Sequence, residues 1–357
     1  MKKSITSLEL HAIVNELSFL KKGRLDQIYH PAKKELVLRF HVSGKGKILV
    51  RVIPGSVINQ TEVKKETAAP SSFCMQLRKY IQNATVVDFK QKNTERILVI
   101  DLQKAEKFQL VIELFSKGNV LLLDSKGMII SVLEWQSYRS RKLKPKEKYL
   151  YPDEGFNWLK DDLKILKRSE KDSVVKALAT QIGLGGTYAE EVCFRASVDK
   201  NTKPSEITDE HIELLSKELK KLIKEIEHPK GFVYGDEITP TELKAKGKAD
   251  SETLTYSESL QLMNPLIKNS PYQKKINQME RIIKEQDETV HKLEKEIEQS
   301  TAKGELVYSE FVKLEKLLNI IDALQKKEGW EAVKTELGKQ KKIGKVDLKK
   351  KTVVVEL

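Results

Sequence analysis

The chain contains few of the residues that mark several common protein classes. Its 357 residues include only two cysteines, Cys74 and Cys193, and 6% aromatic residues. Two thiols far apart in apolar surroundings argue against a disulfide framework and cannot form a cysteine zinc site. We expect both to be buried free thiols. The six histidines lack metal-ligand spacing, and neither a Walker loop nor a nucleophile elbow occurs. The sequence therefore shows no signature of catalysis, and it predicts no metal and no cofactor.

Long apolar runs are also missing. No stretch approaches the roughly 20 apolar residues needed to cross a bilayer. The first ten residues, MKKSITSLEL, lack the apolar core of a signal peptide. We therefore expect a cytoplasmic protein that is not inserted in a membrane.

Basic residues are abundant. The chain has 65 Lys and Arg against 52 Asp and Glu, which gives a formal net charge of +13. Such an excess favours a polyanionic partner, either a nucleic acid or an anionic membrane surface. With 39% hydrophobic residues over this length, the chain can bury a substantial core and should form two or more domains.

The first 155 residues predict a β-rich domain with two helices. Thr6 to Glu9 fits a capping box that begins a helix, and Gly23 is placed to end it. Alternating apolar runs between Gly23 and Ile53 predict a meander of short strands. A second helix is expected at Phe73 to Ile81, followed by further strands. The basic run that begins at Arg139 is interpreted as an exit loop or strand.

The next segments have helical and then mixed character. In residues 156–228, two helical patterns between Val174 and Arg195 flank a glycine-rich turn, which makes them a helix-hairpin-helix candidate. A capped helix is expected from Asp209 to Glu227. Residues 229–268 carry short β-prone runs without an obvious core of their own, so they are interpreted as a connecting segment.

A heptad pattern follows. Residues spaced in alternating steps of three and four from Ile276 to Ile297 are apolar except for Gln286, which predicts a coiled-coil arm helix in residues 269–300 that needs a partner helix. This seam could also support self-association. A loop is expected at Ser300 to Gly304, after which a second apolar helix could fold back. Strand-like residues close the chain, and residues 301–357 are expected to form a small α/β tip.

One stretch carries a family signature. Residues 70–124 contain PSSFCMQLRKYIQNATVVDFKQKNTERILVIDL and LVIELFSKGNVLLLD. This region resembles the N-terminal domain of the NFACT family, the ribosome-associated quality-control proteins also described as fibronectin-binding protein A-like. The resemblance extends along nearly the whole chain. It implies an α+β, multidomain fold: a β-rich domain resembling formamidopyrimidine-glycosylase architecture, a helix-hairpin-helix domain and a long coiled-coil arm with a small α/β tip.

The resemblance also implies a function. Family members bind transfer RNA on a large ribosomal subunit that retains peptidyl-transfer RNA, and they promote template-free C-terminal tailing of the nascent chain. The peptide-bond chemistry would belong to the ribosome, so the protein is expected to be an RNA-binding factor and not an enzyme. The family usually continues into a second arm helix and a further RNA-binding domain. Neither is visible in this sequence, so we expect a truncated or naturally short form.

The same resemblance implies a transfer-RNA site. Glu95 and Arg96 match an Asp-Arg pair of the family, and Glu9 matches an acid of the first helix, with Glu in place of Asp at both acidic positions. The basic residues Arg78 and Lys79 are expected to share the surface of Arg96. The alternatives are a capping role for Glu9, an ordinary surface pair at 95 and 96, and a solvated helix face at 78 and 79.

Two further basic or glycine-rich features are candidates for RNA contact. The turn with Gly183, Gly185 and Gly186 could expose backbone N–H groups to a phosphate, although close helix packing also requires glycine. The basic runs could contact ribosomal RNA, although charge runs are more often solvated. The candidate residues in these runs are Arg139, Arg141, Lys341 and Lys342.

Two rival functions follow from the resemblance. A formamidopyrimidine-glycosylase-like DNA-binding or repair protein would use an N-terminal proline with a neighbouring glutamate, often beside a four-cysteine zinc finger. This chain has Lys2 and Lys3 at its start and only two cysteines. A surface fibronectin-binding adhesin is the other rival, and the missing export signal counts against it.

Overall fold

The computed structural model describes residues 3–62, 70–263, 273–337, 343–348 and 350–355. It divides into two compact units, Met1–Lys268 and Asn269–Leu357. Each unit is described separately below. None of the described helices is both long enough and apolar enough to cross a membrane.

A nine-stranded antiparallel sheet dominates the first unit. Its strand order is β4-β3-β2-β1-β5-β6-β7-β8-β9, which is two meanders joined where β1 pairs with β5. The predicted meander of short strands is therefore confirmed. The strands are β1 (Arg24–Ala32), β2 (Glu35–Val42), β3 (Gly46–Ile53), β4 (Val57–Thr61), β5 (Thr85–Gln91), β6 (Ile97–Gln103), β7 (Lys107–Glu113), β8 (Asn119–Leu123) and β9 (Ile129–Val132).

Two helices accompany this sheet, α1 (Ser7–Glu16) and α2 (Ser72–Ile81). The predicted capping box is present, because Thr6 Oγ1 accepts from the Glu9 N–H at 3.3 Å and Glu9 Oε2 accepts from the Thr6 N–H at 2.8 Å. The predicted end at Gly23 is wrong, because α1 ends at Glu16 and a 3₁₀ turn follows. Gly23 instead permits a close approach: a Cβ there would lie 2.9 Å from the Leu20 carbonyl oxygen.

The rest of the first unit is largely helical and shares the core of the sheet. A two-stranded hairpin, β10 (Gln136–Ser137) and β11 (Lys142–Leu143), occupies the basic run. The helices are α3 (Val174–Lys176), which continues as a π-helical turn over Ala177–Gln181, α4 (Gly186–Arg195), α5 (Asp209–Glu225) and α6 (Tyr256–Ser259). A three-stranded sheet follows α5, with β12 (Gly231–Tyr234) between β13 (Glu237–Thr239) and β14 (Ser251–Thr253).

The described apolar residues of the connecting segment, within residues 229–263, do not form a core of their own. Ile238, Leu243, Tyr256 and Leu260 belong to the same buried cluster as the strands of the large sheet. The Glu16 carboxylate accepts from the backbone N–H of Tyr256 at 2.8 Å, which ties α6 to α1.

The two cysteines are buried, as expected. Burial raises the pKa of the Cys193 thiol to about 12 and also raises the pKa of Cys74. Both side chains therefore stay protonated at neutral pH, which fits a packing role.

The second unit consists of two long helices and a hairpin. These are α7 (Gln273–Ser309), α8 (Phe311–Leu337), β15 (Ile343–Asp347) and β16 (Thr352–Val355). The predicted closing strands are confirmed, but the predicted loop at Ser300 to Gly304 is wrong. The helix continues through it because this stretch has neither a proline nor a residue with positive φ to end it. Gly329, with φ of 81°, breaks α8 instead.

The predicted heptad seam lies on α7. Met279, Ile283 and Ile297 are 54%, 56% and 65% exposed, so no described residue covers them fully. The small core of this unit lies elsewhere, around Ile321 and Val333. A coiled coil through the seam therefore stays a prediction.

Candidate functional site

A cleft of about 470 Å³ lies in the first unit where four segments meet. These segments are the start of α1, the turn between β5 and β6, residues 155–156, and residues 179–185 before α4. Residues far apart in the sequence therefore share one concave surface. The lining residues are Thr6, Ser7, Thr94, Glu95, Arg96, Gly155, Phe156, Ala179, Thr180, Gln181, Ile182, Gly183 and Gly185.

Arg96 is the cationic side chain of this cleft. It directly precedes β6, and its backbone carbonyl accepts from the Leu114 N–H at 2.8 Å, which fixes its position beside β7. The side chain is half-buried, and its guanidinium forms no hydrogen bond or ion pair with any residue that the structure describes. Burial lowers the pKa of Arg96, whereas the charges of Glu95 and Glu9 raise it. An arginine remains cationic at neutral pH despite such a shift.

Glu95 is held by Gly155, another residue that lines the cleft. Its Oε1 accepts from the Gly155 N–H at 2.8 Å, and a Cβ at Gly155 would lie 3.1 Å from the same oxygen. The Gln91 side chain donates to the carbonyls of Glu95 and Ser7 at 2.9 Å and 3.0 Å. Glu95 is thus held next to Arg96 by hydrogen bonds to neighbouring segments.

A hydrogen-bonded framework around the cleft includes residues that the sequence did not indicate. Trp158 Nε1 donates to Ser7 Oγ at 3.0 Å, Ser7 Oγ donates to the Thr94 carbonyl, and Thr94 Oγ1 donates to the Phe156 carbonyl at 2.9 Å. This chain of hydrogen bonds joins α1, the turn before β6 and residues 156–158. Its members are up to 151 positions apart, so no local spacing could have indicated it.

Glu9 lies beneath the cleft and not on its surface. Its side chain has no exposed area, and its Oε1 accepts from the Tyr188 hydroxyl at 2.6 Å. Burial and the Glu9 charge raise the pKa of Tyr188 well above its usual value. The expected direct contact of Glu9 with RNA is therefore corrected: the carboxylate is fully buried, and its charge acts on Arg96 from inside the protein.

The glycine turn forms one edge of the cleft. Gly183 and Gly185 have φ of 81° and 83°, and a Cβ on Gly185 would lie 3.1 Å from Thr6 Cγ2. The Gly185 N–H donates to the Ala179 carbonyl at 3.1 Å, so this group is not available to a phosphate. Gly186 opens α4 and does not line the cleft. The positive φ and the close approach to Thr6 together favour glycine at 185.

The other predicted site residues lie outside this cleft. The Arg78 guanidinium donates twice to the Ile28 carbonyl, at 2.9 Å and 2.6 Å, and Lys79 is exposed on α2. Arg139 is exposed in the β10–β11 turn. Lys341 and Lys342 lie outside the described residues.

The structure corrects the predicted contact of Arg141 with ribosomal RNA. It is buried, with 8% of its surface exposed, and its Nη1 donates to Glu113 Oε1. Glu113 also accepts from the Tyr149 hydroxyl at 2.8 Å. The partner of Arg141 is therefore an internal carboxylate, and its guanidinium is not presented to ribosomal RNA. Among the described residues no group of three or more His, Cys, Asp or Glu side chains could hold a metal ion.

Comparison with protein families gives a match over most of the chain. The family model described as NFACT N-terminal and middle domains matches residues 6–308. Among curated proteins, the archaeal Rqc2 homolog aRqcH of Methanocaldococcus jannaschii is 30% identical over 94% of this chain and 54% of its own length. The ribosome quality control complex subunit NEMF of Mus musculus is 25% identical over 72% of this chain and 26% of its own length.

Comparison with solved structures identifies a shared fold. The N-terminal part of the fibronectin/fibrinogen-binding protein of Streptococcus suis superposes with a TM-score of 0.60 at 19% identity, covering 72% of this chain and 98% of that one. At this identity the likeness concerns the fold alone. The chain spans about half the length of the archaeal relative that it matches.

Proposed function

The chain belongs to the NFACT family, and on that premise we propose that it is a ribosome-associated quality-control factor that binds transfer RNA through the cleft around Arg96. The observation that carries the proposal is the half-buried guanidinium of Arg96, which forms no hydrogen bond or ion pair with the described residues and lines a cleft of about 470 Å³. Two relatives are named for ribosome quality control. The net charge of +13 is consistent with an RNA partner.

The chemistry of the cleft fits a nucleic acid. A guanidinium can bind a phosphate through two parallel hydrogen bonds, or it can stack on an unpaired base. Glu95 is held at 2.8 Å by the Gly155 N–H, so it positions Arg96 instead of neutralising it through a direct ion pair. Glu9 supports the same arrangement from below through Tyr188. In this proposal Arg96 is the contact residue, and Glu95 and Glu9 are positioning residues.

The proposed function also includes a platform for binding, a reaction that the chain supports and roles for its helices. The large ribosomal subunit with its ribosomal RNA would be the platform, and the chain would support template-free C-terminal tailing in the cytoplasm, with peptide-bond chemistry left to the ribosome. The hairpin from α3 to α4 would act as a helix-hairpin-helix element. The seam on α7 would pair in a coiled coil, within one chain or between two. Lys79 and Arg139 would add exposed charge toward RNA.

Co-sedimentation with purified large ribosomal subunits, with and without bound peptidyl-transfer RNA, tests the proposal. We expect the wild-type chain to prefer the subunit that carries transfer RNA. Arg96→Ala should lose that preference, and Arg96→Lys should recover part of it, because lysine keeps the charge but loses the planar fork. Arg24→Ala, which removes an exposed arginine outside the cleft, is the matched control.

Each outcome has a distinct meaning. Equal and selective binding by wild type and Arg96→Ala would keep the function and reject this site. Equal loss in Arg96→Ala and Arg24→Ala would indicate general charge attraction, which should also weaken steeply with salt. No binding of the wild-type chain at moderate salt would contradict the proposal for this chain.

A further inference from the structure

A second surface combines an exposed aromatic ring with lysines, away from the cleft around Arg96. Trp135 is 76% exposed, an unusual state for the largest apolar side chain. The other two tryptophans differ, since Trp158 is buried and Trp330 is half-buried. We define the tryptophan patch as Lys33, Lys34, Lys117 and Trp135.

Ion pairs and a hydrogen bond connect the lysines of this patch to one another and to Glu134, the chain neighbour of Trp135. The Glu134 carboxylate lies 3.7 Å from Lys33 Nζ and 3.3 Å from Lys34 Nζ. Lys34 Nζ also donates to the Lys117 carbonyl at 3.1 Å. The β1–β2 turn, the β7–β8 turn and the segment after β9 therefore form one surface, with Trp135 directly following Glu134.

The backbone on both sides of Trp135 is fixed. Asn119 is buried, and its side chain donates to the Glu134 carbonyl at 2.8 Å and accepts from the Glu134 N–H at 3.2 Å. The Gln136 side chain donates to the Gly118 carbonyl at 3.1 Å. The exposed ring is thus carried by an ordered segment, so ligand binding would not incur the entropy cost of ordering a loop.

The turn that holds this segment is itself tightly packed. Gly118 has φ of 66°, and a Cβ there would lie 1.9 Å from the Gly55 nitrogen. The turn Lys117-Gly118-Asn119 therefore fixes two neighbouring segments. Gly118 permits close contact with the β3–β4 turn, and Asn119 then positions the segment that carries Trp135.

The charge of the patch favours an anionic partner. Its three lysines are opposed by the single Glu134 carboxylate, and Lys33 is 87% exposed. An ion pair of an exposed lysine contributes little to stability, so Lys33 can exchange the Glu134 carboxylate for a phosphate at low cost. An exposed ring on the same surface as lysine side chains suits unpaired nucleotides, because a base can stack on the ring while phosphates contact the lysines.

We propose that the tryptophan patch binds single-stranded RNA, with a base stacked on Trp135 and phosphates at Lys33, Lys34 and Lys117. The contact is independent of the sequence of the RNA, because every base presents a stacking face. The site is separate from the cleft around Arg96, since none of its residues lines that cleft. The proposal for the tryptophan patch therefore does not depend on transfer-RNA binding in the cleft.

Binding of a labelled oligouridine to the full chain tests this site. Fluorescence anisotropy should show affinity roughly tenfold weaker for Trp135→Ala, in line with the loss of one stacked base. Trp135→Phe should retain most of the affinity, because a phenyl ring still stacks. Leu254→Ala, which removes another exposed apolar side chain, 87% exposed, is the matched control and should bind like wild type.

Three further readouts distinguish stacking on Trp135 from general charge attraction. Oligouridine should quench tryptophan emission in wild type and in Arg96→Ala, but not in Trp135→Phe. Replacing Lys33, Lys34 and Lys117 with alanine should flatten the dependence of log affinity on log salt by about 0.7 for each phosphate that is no longer neutralised. Polyglutamate should compete only weakly with oligouridine, because it has no base to stack.

Two results would overturn the proposal. Unchanged affinity in Trp135→Ala would show that the ring does not contact RNA. Competition by polyglutamate as strong as that by unlabelled oligouridine would identify the patch as a surface for an acidic protein.

Discussion

The hydroxyl of Tyr188 donates a 2.6 Å hydrogen bond to the carboxylate of Glu9. This contact joins α4 to α1 beneath the cleft, across 179 positions of sequence. Both side chains are fully buried. Since Glu9 also closes the capping box of α1, one carboxylate starts the first helix and anchors the helical part of the unit to it.

Tyr188→Phe removes the donor and leaves the ring in place. We expect it to lower the free energy of unfolding by about 1–3 kcal/mol, because a buried charged acceptor loses one of its partners. Urea unfolding followed by circular dichroism measures this. Tyr151→Phe is the matched control, because the Tyr151 hydroxyl makes no hydrogen bond with the described residues. Equal losses in the two variants would contradict the role of the Tyr188 bond.

Gly185→Ala should destabilise the first unit by about 1–2 kcal/mol, because a non-glycine residue is strained at positive φ. The new Cβ would also lie 3.1 Å from Thr6 Cγ2, where α1 begins. Gly186→Ala is the control, since Gly186 is helical and has open space around its Cα. Thermal unfolding should show a clear loss for the first variant and none for the second. A Gly185→Ala protein as stable as Gly186→Ala would show that the turn is not constrained.

Arg141→Ala should cost about 3–5 kcal/mol, because it leaves the Glu113 carboxylate buried without its cationic partner. Glu113 is only 1% exposed. Arg139→Ala, two residues earlier and exposed, should change stability by less than about 0.5 kcal/mol. Denaturant unfolding of both variants checks the contrast. A similar effect of the two substitutions would refute the internal role of Arg141.

Glu16→Gln should change how stability depends on pH. Burial raises the pKa of Glu16, although the N–H groups of Ser257 and Tyr256 act to lower it. Because the pKa of Glu16 is higher in the folded than in the unfolded protein, its contribution to the free energy of unfolding is fully present below the unfolded value of 4.5. That contribution is lost as pH rises through the folded pKa. The glutamine variant does not titrate, and its amide oxygen can still accept from the α6 backbone.

The free energy of unfolding of wild type and Glu16→Gln, compared between about pH 4 and pH 7, measures this effect. We expect the difference to move in favour of the variant as pH rises. Glu258→Gln, which removes an exposed carboxylate from α6, shows what the loss of one surface charge does. A constant difference across the pH range for Glu16→Gln would contradict the prediction.

Much of the fold could be predicted from local sequence patterns. The capping box at Thr6 and Glu9, the alternating strands and the helix near Phe73 are set by contacts within a few residues, and the structure confirms them. The errors concern element ends. Helix α1 ends before Gly23 because the chain must turn toward β1, and α7 continues past Gly304 because nothing there interrupts helical geometry.

The candidate site could be predicted only in part from the sequence. Family resemblance indicated Glu95 and Arg96, and the glycines of the turn at 183–186 were visible as turn formers. Their convergence in one cleft was not, because it depends on hydrogen bonds such as that between Trp158 and Ser7. The sequence pattern also treated residues 139 and 141 alike, as two arginines of one basic run. Only the packing of the two-stranded hairpin exposes the first and buries the second against an internal carboxylate.

The sequence by itself determined the elements, the family and the positive charge, because helix caps, alternation and composition are properties of neighbouring residues or of their sum. The tertiary structure decided which charges are available. Glu9 and Arg141 are buried with partners, Arg96 lines a cleft, and Trp135 is exposed next to a backbone segment that Asn119 holds. The physical reason is that burial and long-range hydrogen bonding, and not residue type, determine whether a side chain can meet a ligand.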